Sequence, residues 1–193
     1  MLLQRAAQRC NISYMEQTKQ KISTAFKSLK GDFGYTNVMQ APKLTKAVIS
    51  IGVGKVSDKN RRKMIEDRLG RITGQKVIAR GAKKSVASFK SRQGDIIGYQ
   101  ATLRGARMYD FVDKLIHIAL PRTRDFRGIA LSSIDEMGNI SIGLKENTIF
   151  PECSDEDIKD VFGFAITLVT TAKTKKEAEA FLRHIGFPLQ AAK

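Results

Sequence analysis

Apolar residues recur along this chain with two periods, and the changes of period mark its elements. Ile22, Ala25, Phe26 and Leu29 fall at i, i+3, i+4 and i+7, which gathers them on one stripe of an α-helix. Ser13 and Glu16 ahead of them form an S-x-x-E capping box and Gly31 follows, so a first helix is expected between these signals. A second is predicted over about 58–72, with Ile65, Leu69 and Ile72 inward and Lys59, Arg61, Arg62, Lys63, Arg68 and Arg71 mostly outward. Met108, Phe111, Val112 and Leu115 predict a third, stopped by Pro121. Ala178, Phe181, Leu182 and Ile185 predict a fourth, opened by the Thr174/Glu177 capping box and closed by Gly186.

Between the helices the period shortens. Leu44 to Val53 is β-branched and apolar, and Phe164 to Thr170 alternates Phe164, Ile166 and Leu168 against Ala165, Thr167 and Val169, the pattern of a half-buried strand. Lys76 to Ala79 and Tyr99 to Arg104 read as two strands supporting the loop between them. Residues 122–152 break short apolar runs with Gly128, Gly138-Asn139 and Gly143, as hairpins and turns do. No repeat or linker interrupts the chain. The expectation is an α+β fold, a largely antiparallel sheet with helices packed on one face and a projecting basic loop at about 80–98. Residues 13–190 would form a single domain, preceded by an N-terminal extension over 1–12.

Charge sharpens this picture. The 193 residues carry a net charge of +15, and it is unevenly spread. Residues 1–94 hold 21 Lys or Arg against 5 Asp or Glu, while residues 95–193 hold 13 against 14. Only the first half carries an electrostatic footprint for a polyanion. Its densest stretch, Lys76 to Arg92, reads KVIARGAKKSVASFKSR, six basic residues in seventeen without an acid. Such a loop attracts phosphate through counterion release and offers Phe89 for stacking; the other reading is a solvated basic loop. A membrane is a poor partner, because no stretch approaches the roughly 20 apolar residues of a spanning helix and the basic loop lacks the Trp, Leu and Phe face of an interfacial one.

Candidate chemistry is thin. His117 lies in the apolar stripe of the third helix and His184 in the last turn of the fourth, where a cation suits the helix dipole. Cys10 and Cys153 are isolated from each other and from histidine, which argues for plain thiols in a reducing compartment and against a zinc site. Arg5 and Arg9 before the first acid, Glu16, faintly suggest a transit peptide, but a short basic extension is the preferred reading. Gly52-x-Gly54 lacks the third glycine of a dinucleotide loop, with Ser57 in its place. The cluster of Glu152, Asp155, Glu156, Asp157 and Asp160 lacks the spacing of a calcium loop and reads as a helix start. Neither a catalytic group, a metal nor a cofactor is expected.

Several longer motifs occur together: YTNVMQAPKL (35–44), ISIGVG (49–54), ITGQK (72–76), KSVASFKSRQGDIIGYQATLRG (84–105), PRTRDFRG (121–128), GNISIGLKENTIFPE (138–152) and ITLVTTAKT (166–174). In their order and spacing they resemble the large-subunit ribosomal protein five family, the bacterial-type proteins that bind 5S ribosomal RNA. The resemblance implies a structural constituent of the large ribosomal subunit, in its central protuberance, with no catalysis. It implies 5S rRNA contacts at Asn37, Gln40, Lys43, Gln75, Thr102 and Arg104, alongside large-subunit rRNA. It further implies a loop that reaches peptidyl-site tRNA, here Arg80, Lys83, Lys84, Ser85, Phe89, Lys90 and Arg92. A rim of Arg122, Arg124, Arg127, Asn139 and Lys145 would meet a small-subunit head protein.

The sequence departs from the family at two of these places. Ser50-Ile51-Gly52 stands where Asn-Met-Gly is usual, and Lys43 where Arg is common, so the bidentate fork is lost there. The expected location is a ribosome, cytoplasmic or organellar. The competing readings are a free-standing RNA chaperone or translational regulator using the same basic face, and a phosphate-handling enzyme built on the Gly52-Gly54 turn.

Overall fold

Alternating burial along two strands sets the sheet. In the computed structural model, which describes residues 2–54, 56, 58–124, 126–153 and 161–190, and residues 2–17 by backbone alone, β1 (Leu44–Gly52) runs antiparallel to β3 (Ile96–Leu103). Ala47, Ile49 and Ile51 stand opposite Leu103, Ala101 and Tyr99, and all six are buried. The intervening pairs, Val48 with Thr102 and Ser50 with Gln100, lie on the other face and are half-buried, as a period of two requires. β2 (Ile78–Gly81) extends β3 on its outer side, and β4 (Ile140–Leu144) and β5 (Phe164–Thr170) complete a sheet of order β2-β3-β1-β5-β4. Together with its helices this is the expected α+β class with an open, antiparallel sheet.

The chain divides into two compact units: Met1–Lys46 with Arg104–Ser141 and Leu168–Lys193, and Ala47–Leu103 with Ile142–Thr167. In the first, α1 (Leu2–Phe33) packs on α3 (Ala106–Lys114) and α4 (Lys175–Ile185). Ala25, Leu29, Met108, Phe111, Val112, Phe181, Leu182 and Ile185 are buried, as the 3.6-residue spacing predicts. Polar ties lock the same helices. The Lys21 ammonium donates to the Ile185 carbonyl at 2.9 Å, satisfying an orphan acceptor at the end of α4. His184 Nε2 lies 2.8 Å from the Lys21 carbonyl and 3.1 Å from the Thr24 hydroxyl, which makes it a structural histidine.

Asp113 is the exception in this interior. Its Oδ1 accepts from the Thr18 backbone N–H at 3.2 Å and from the Thr18 hydroxyl, but its buried Oδ2 has no partner among the described residues. Burial raises its pKa from the ordinary carboxylate value, against the lowering effect of the Thr18 bonds and of His117, with Asp110 adding to the rise.

In the second unit α2 (Lys59–Thr73) buries Ile65, Leu69 and Ile72 and packs on β3 and on the short turn Pro151–Cys153. Asp58 caps its start by accepting from the Asn60 N–H at 2.9 Å, and Gly74 ends it in the left-handed conformation. Phe150 and Phe162 flank Phe164, with ring centroids 5.8 and 6.3 Å away.

Several boundaries differ from expectation. α1 begins at Leu2, so Ser13 and Glu16 lie inside a helix instead of opening it. It also passes through Gly31 and stops at Gly34, whose φ of 64° and N–H bond to the Lys30 carbonyl end it. β2 sits two residues later than expected, because the chain leaving Gly74 first buries Val77. β3 starts earlier, at Ile96. α3 continues as a π-helical segment, Leu115–Ala119, closed by the Leu120 N–H on the Leu115 carbonyl at 2.9 Å, before Pro121. In the acidic cluster, Asp155, Glu156, Asp157 and Asp160 lie outside the described residues.

Two outcomes follow from this packing. A Cβ on Gly98 would lie 2.7 Å from the Ile51 carbonyl oxygen, a backbone atom that cannot step aside, whereas one on Gly52 meets nothing within 4 Å. Gly98→Ala should therefore lose about 2 kcal/mol in urea unfolding, and Gly52→Ala should stay close to wild type. For Asp113, a folded pKa above the unfolded one means that the native state binds the extra proton. Its contribution is thus most favourable below the unfolded pKa and is lost as pH rises through the folded value. The stability of wild type relative to Asp113→Asn should fall across that window, as measured by urea titrations at successive pH values.

Candidate nucleic-acid interface

The segment after α1 is drawn tight at Tyr35. Its ring is buried, stacks on Phe33 with centroids 5.9 Å apart, and its hydroxyl donates to the Glu177 carboxylate. Burial, and then the bond and negative charge of Glu177, push the phenol far above its ordinary pKa. Glu177 also accepts the Lys173 N–H at 2.8 Å, while Thr174 caps α4 by accepting the Glu177 N–H. One carboxylate thereby joins the start of α4 to the start of the next turn.

That turn is the 3₁₀ segment Val38–Gln40. Asn37 Oδ1 accepts the Met39 N–H at 3.0 Å, and Gln40 Oε1 accepts the N–H groups of Thr36 and Asn37 at 2.9 and 3.3 Å. Asn37 and Gln40 are thus brought together as a capping box. Lys43 follows, its N–H on the Thr171 hydroxyl at 2.9 Å and its carbonyl accepting the Thr171 N–H at 3.0 Å. The backbone is pinned; the ammonium is exposed, 3.5 Å from the Met39 sulfur.

In the other unit, Gln75 and Thr102 meet. Gln75 Nε2 donates to the Thr102 carbonyl at 3.4 Å, and Thr73, whose hydroxyl bonds the Leu69 carbonyl at 2.8 Å, supports the Gln75 turn. Thr102 stands on the half-buried sheet face with Val48, Ser50 and Gln100. Arg80, expected in the loop, lies in β2, where its Nε donates to Gln100 Oε1 at 2.7 Å. The Arg80–Gln100 pair was not legible in the sequence, because only the β2–β3 register, Ile78 opposite Gln100, brings the two within reach. Arg104 is exposed just past β3.

The basic loop is a built hairpin. Ala82 exchanges backbone bonds with Asp95 and Gly94 at 2.8 and 3.0 Å, and Val86 and Ser91 pair further out at 3.0 and 3.3 Å. Between these rungs the Ser85 hydroxyl accepts the Gln93 N–H at 2.9 Å, and Asp95 Oδ2 accepts the Arg92 N–H at 2.8 Å. Ser85 therefore supports the loop from inside. At the tip, a 3₁₀ turn over Ala87–Phe89 ends on Lys90 at φ 50°, a left-handed conformation that L side chains resist. Phe89 is 81% exposed, and Lys83, Lys84, Lys90 and Arg92 are exposed around the same hairpin.

Of the rim residues, Arg122, Arg124 and Arg127 are exposed in the segment between α3 and β4, and Lys145 is exposed just past β4. Asn139 is different. Its Nδ2 donates to Asp135 Oδ2 at 2.9 Å and its Oδ1 accepts the Thr170 N–H at 3.3 Å. Both ends of its amide are engaged within the fold, and the bonds from Asn139 hold Asp135 below the usual carboxylate range.

At the Gly52-Gly54 turn, two of the N–H groups that a phosphate cradle would use are already spent on the fold. The Val53 N–H is committed to the Ile97 carbonyl at 2.8 Å and the Val56 N–H to Val53 at 2.9 Å. Cys153 is a buried thiol. Among the described residues, no three His, Cys, Asp or Glu side chains gather as a metal site, and no helix is long and apolar enough to cross a membrane.

Comparison with known proteins agrees with the motifs. Residues 37–92 match the family model described as Ribosomal protein L5, and residues 96–189 match the companion model that describes the C-terminus of the same ribosomal family. The large ribosomal subunit protein uL5 of Flavobacterium johnsoniae is 49% identical over 181 residues, spanning 93% of this chain and 99% of its own length. That of Heliobacterium modesticaldum is 48% identical over 180 residues, 92% of this chain and 99% of its own. For Geobacter sulfurreducens the figures are 46% over 165 residues, 84% and 91%. With two consecutive family matches and such identity along most of its length, the chain belongs to the uL5 family and is a structural, non-enzymatic constituent of the large ribosomal subunit.

Proposed function

We propose that this chain docks on 5S rRNA through the Asn37–Lys43 turn and through the sheet residues Gln75, Thr102 and Arg104. Its basic hairpin contacts peptidyl-site tRNA, and Arg122, Arg124, Arg127 and Lys145 meet a small-subunit head protein. The observation that carries this reading is the contrast between the hairpin's backbone and its side chains. The backbone is cross-bonded at Ala82, Val86, Ser91, Arg92, Gln93 and Gly94, while Phe89 and the cations around it have solvent as their surroundings. An ordered hairpin of cations with an exposed ring loses little entropy on meeting a polyanion, and it supplies both phosphate contacts and a stacking surface. Thr102 and Gln75 suit the docking role, since hydroxyl and amide groups reach ribose and base edges.

Two sets of variants separate the two surfaces. Thr102→Ala and Gln75→Ala should weaken binding of purified protein to 5S rRNA by about 1 kcal/mol each, the scale of a lost hydrogen bond. Lys90→Ala with Arg92→Ala should leave that binding nearly intact. In assembled ribosomes the loop pair should instead weaken peptidyl-site tRNA binding and lower its salt slope by roughly 0.7–0.9 per phosphate contact removed. Loss of 5S rRNA binding in the loop variants would contradict the division of labour.

A further inference from the structure

The Asn37–Gln40 turn uses its acceptors on itself and leaves apolar side chains in the open. Asn37 Oδ1 holds the Met39 N–H, and Gln40 Oε1 holds the N–H groups of Thr36 and Asn37 and, at 3.3 Å, the Thr36 hydroxyl. What remains on each amide is its NH2, a donor, and neither has a partner among the described residues. Between the two amides Met39 is 75% exposed and Val38 54%. A methionine this exposed contributes nothing to a core. Held on a capped turn, however, it is already positioned, so a contact at its end forfeits less conformational freedom than one on a mobile loop.

We infer that Met39 is a nucleotide-contacting residue. Its methylenes and thioether pack on the face of an unpaired base or ribose, while the amide donors of Asn37 and Gln40 meet phosphate or base-edge oxygens on either side. This rests on the proposed docking of the same turn on 5S rRNA. An RNA occupant fits better than a protein one on charge and on hydrogen bonding. The Lys43 ammonium lies 3.5 Å from the Met39 sulfur, and the half of the chain that holds the turn carries the whole net positive charge. Two donor groups and a cation around an apolar tip complement a partner rich in acceptors and negative charge that also offers flat apolar faces, and a splayed nucleotide is such a partner. The polarizable, unbranched side chain of methionine adapts to a flat surface.

The test measures full-length protein binding to 5S rRNA at low and moderate salt, with thermal melts as the check on folding. Met39→Ala should weaken binding about fivefold, as expected for lost apolar contact area of this size. It should leave both the melt and the salt slope unchanged, because no phosphate contact is removed. Met39→Leu should recover most of the affinity. Met39→Lys is the sharper arm: a surface acting by charge alone would bind RNA more tightly, whereas loss of an apolar nucleotide contact weakens binding despite the added cation. Unchanged affinity in Met39→Ala, or tighter binding in Met39→Lys, overturns the inference and leaves the patch to a protein neighbour. Wild-type protein that fails to bind 5S rRNA at all would instead overturn the docking role itself.

Discussion

The pairing of β1 with β3 constrains more of this molecule than any other interaction, because a strand has only two faces. With Ala47 opposite Leu103 and Gly52 opposite Gly98, the residues between alternate strictly between the core and the face that carries Thr102 and Gln100. A slip of β1 by one residue would turn Ser50 to the core and Ile49 away from it while β3 stayed in place. Gly98 marks where the two backbones come closest, against the Ile51 carbonyl. The same register lets β2 pair outward from β3, which roots the hairpin at Ala82 and Gly94 and places Arg80 on Gln100.

Polar side chains in this protein divide by whether the fold consumes them. Asn139, Ser85 and the carbonyl ends of Asn37 and Gln40 are engaged internally, and their effect is to stiffen the segments that carry them. Lys43, Lys83, Lys84, Lys90, Arg92 and Arg104 keep their charged ends at the surface. A ribosomal protein gains from this division: stiffened turns lose little entropy on docking, and free cations supply the sequence-independent attraction to phosphate. The chain's excess of positive charge therefore belongs to recognition, and the apolar stripes to the fold.

Much of this was legible in the sequence. Phe164 to Thr170 could be read to the residue, since its alternation reflects one buried face, and α4 could be bounded at both ends by Thr174 and Gly186. The start of α1 was hidden because Ser13 and Glu16 fit a capping box, whereas the helix runs through both from Leu2. What stayed hidden needed partners distant in sequence. Asn139 looked like a surface amide until Thr170 met it, Tyr35 gave no sign of Glu177, and nothing in the residue types at 87–90 announces a lysine at positive φ. The long motifs identified the family, whereas the internal role of each amide came only from geometry.

The central claim is that the segments proposed to meet RNA are already built in the free protein, and native-state hydrogen exchange tests it directly. The amides of Met39, Val86, Ser91 and Gln93 each have an acceptor within the fold, at 3.0, 3.0, 3.3 and 2.9 Å. Preformed turns predict that these amides exchange more slowly than unstructured peptide in the absence of RNA, and that adding 5S rRNA changes the 86–93 set little. Exchange at the unprotected rate until RNA is added would mean that turn and hairpin fold on binding, and would contradict the account.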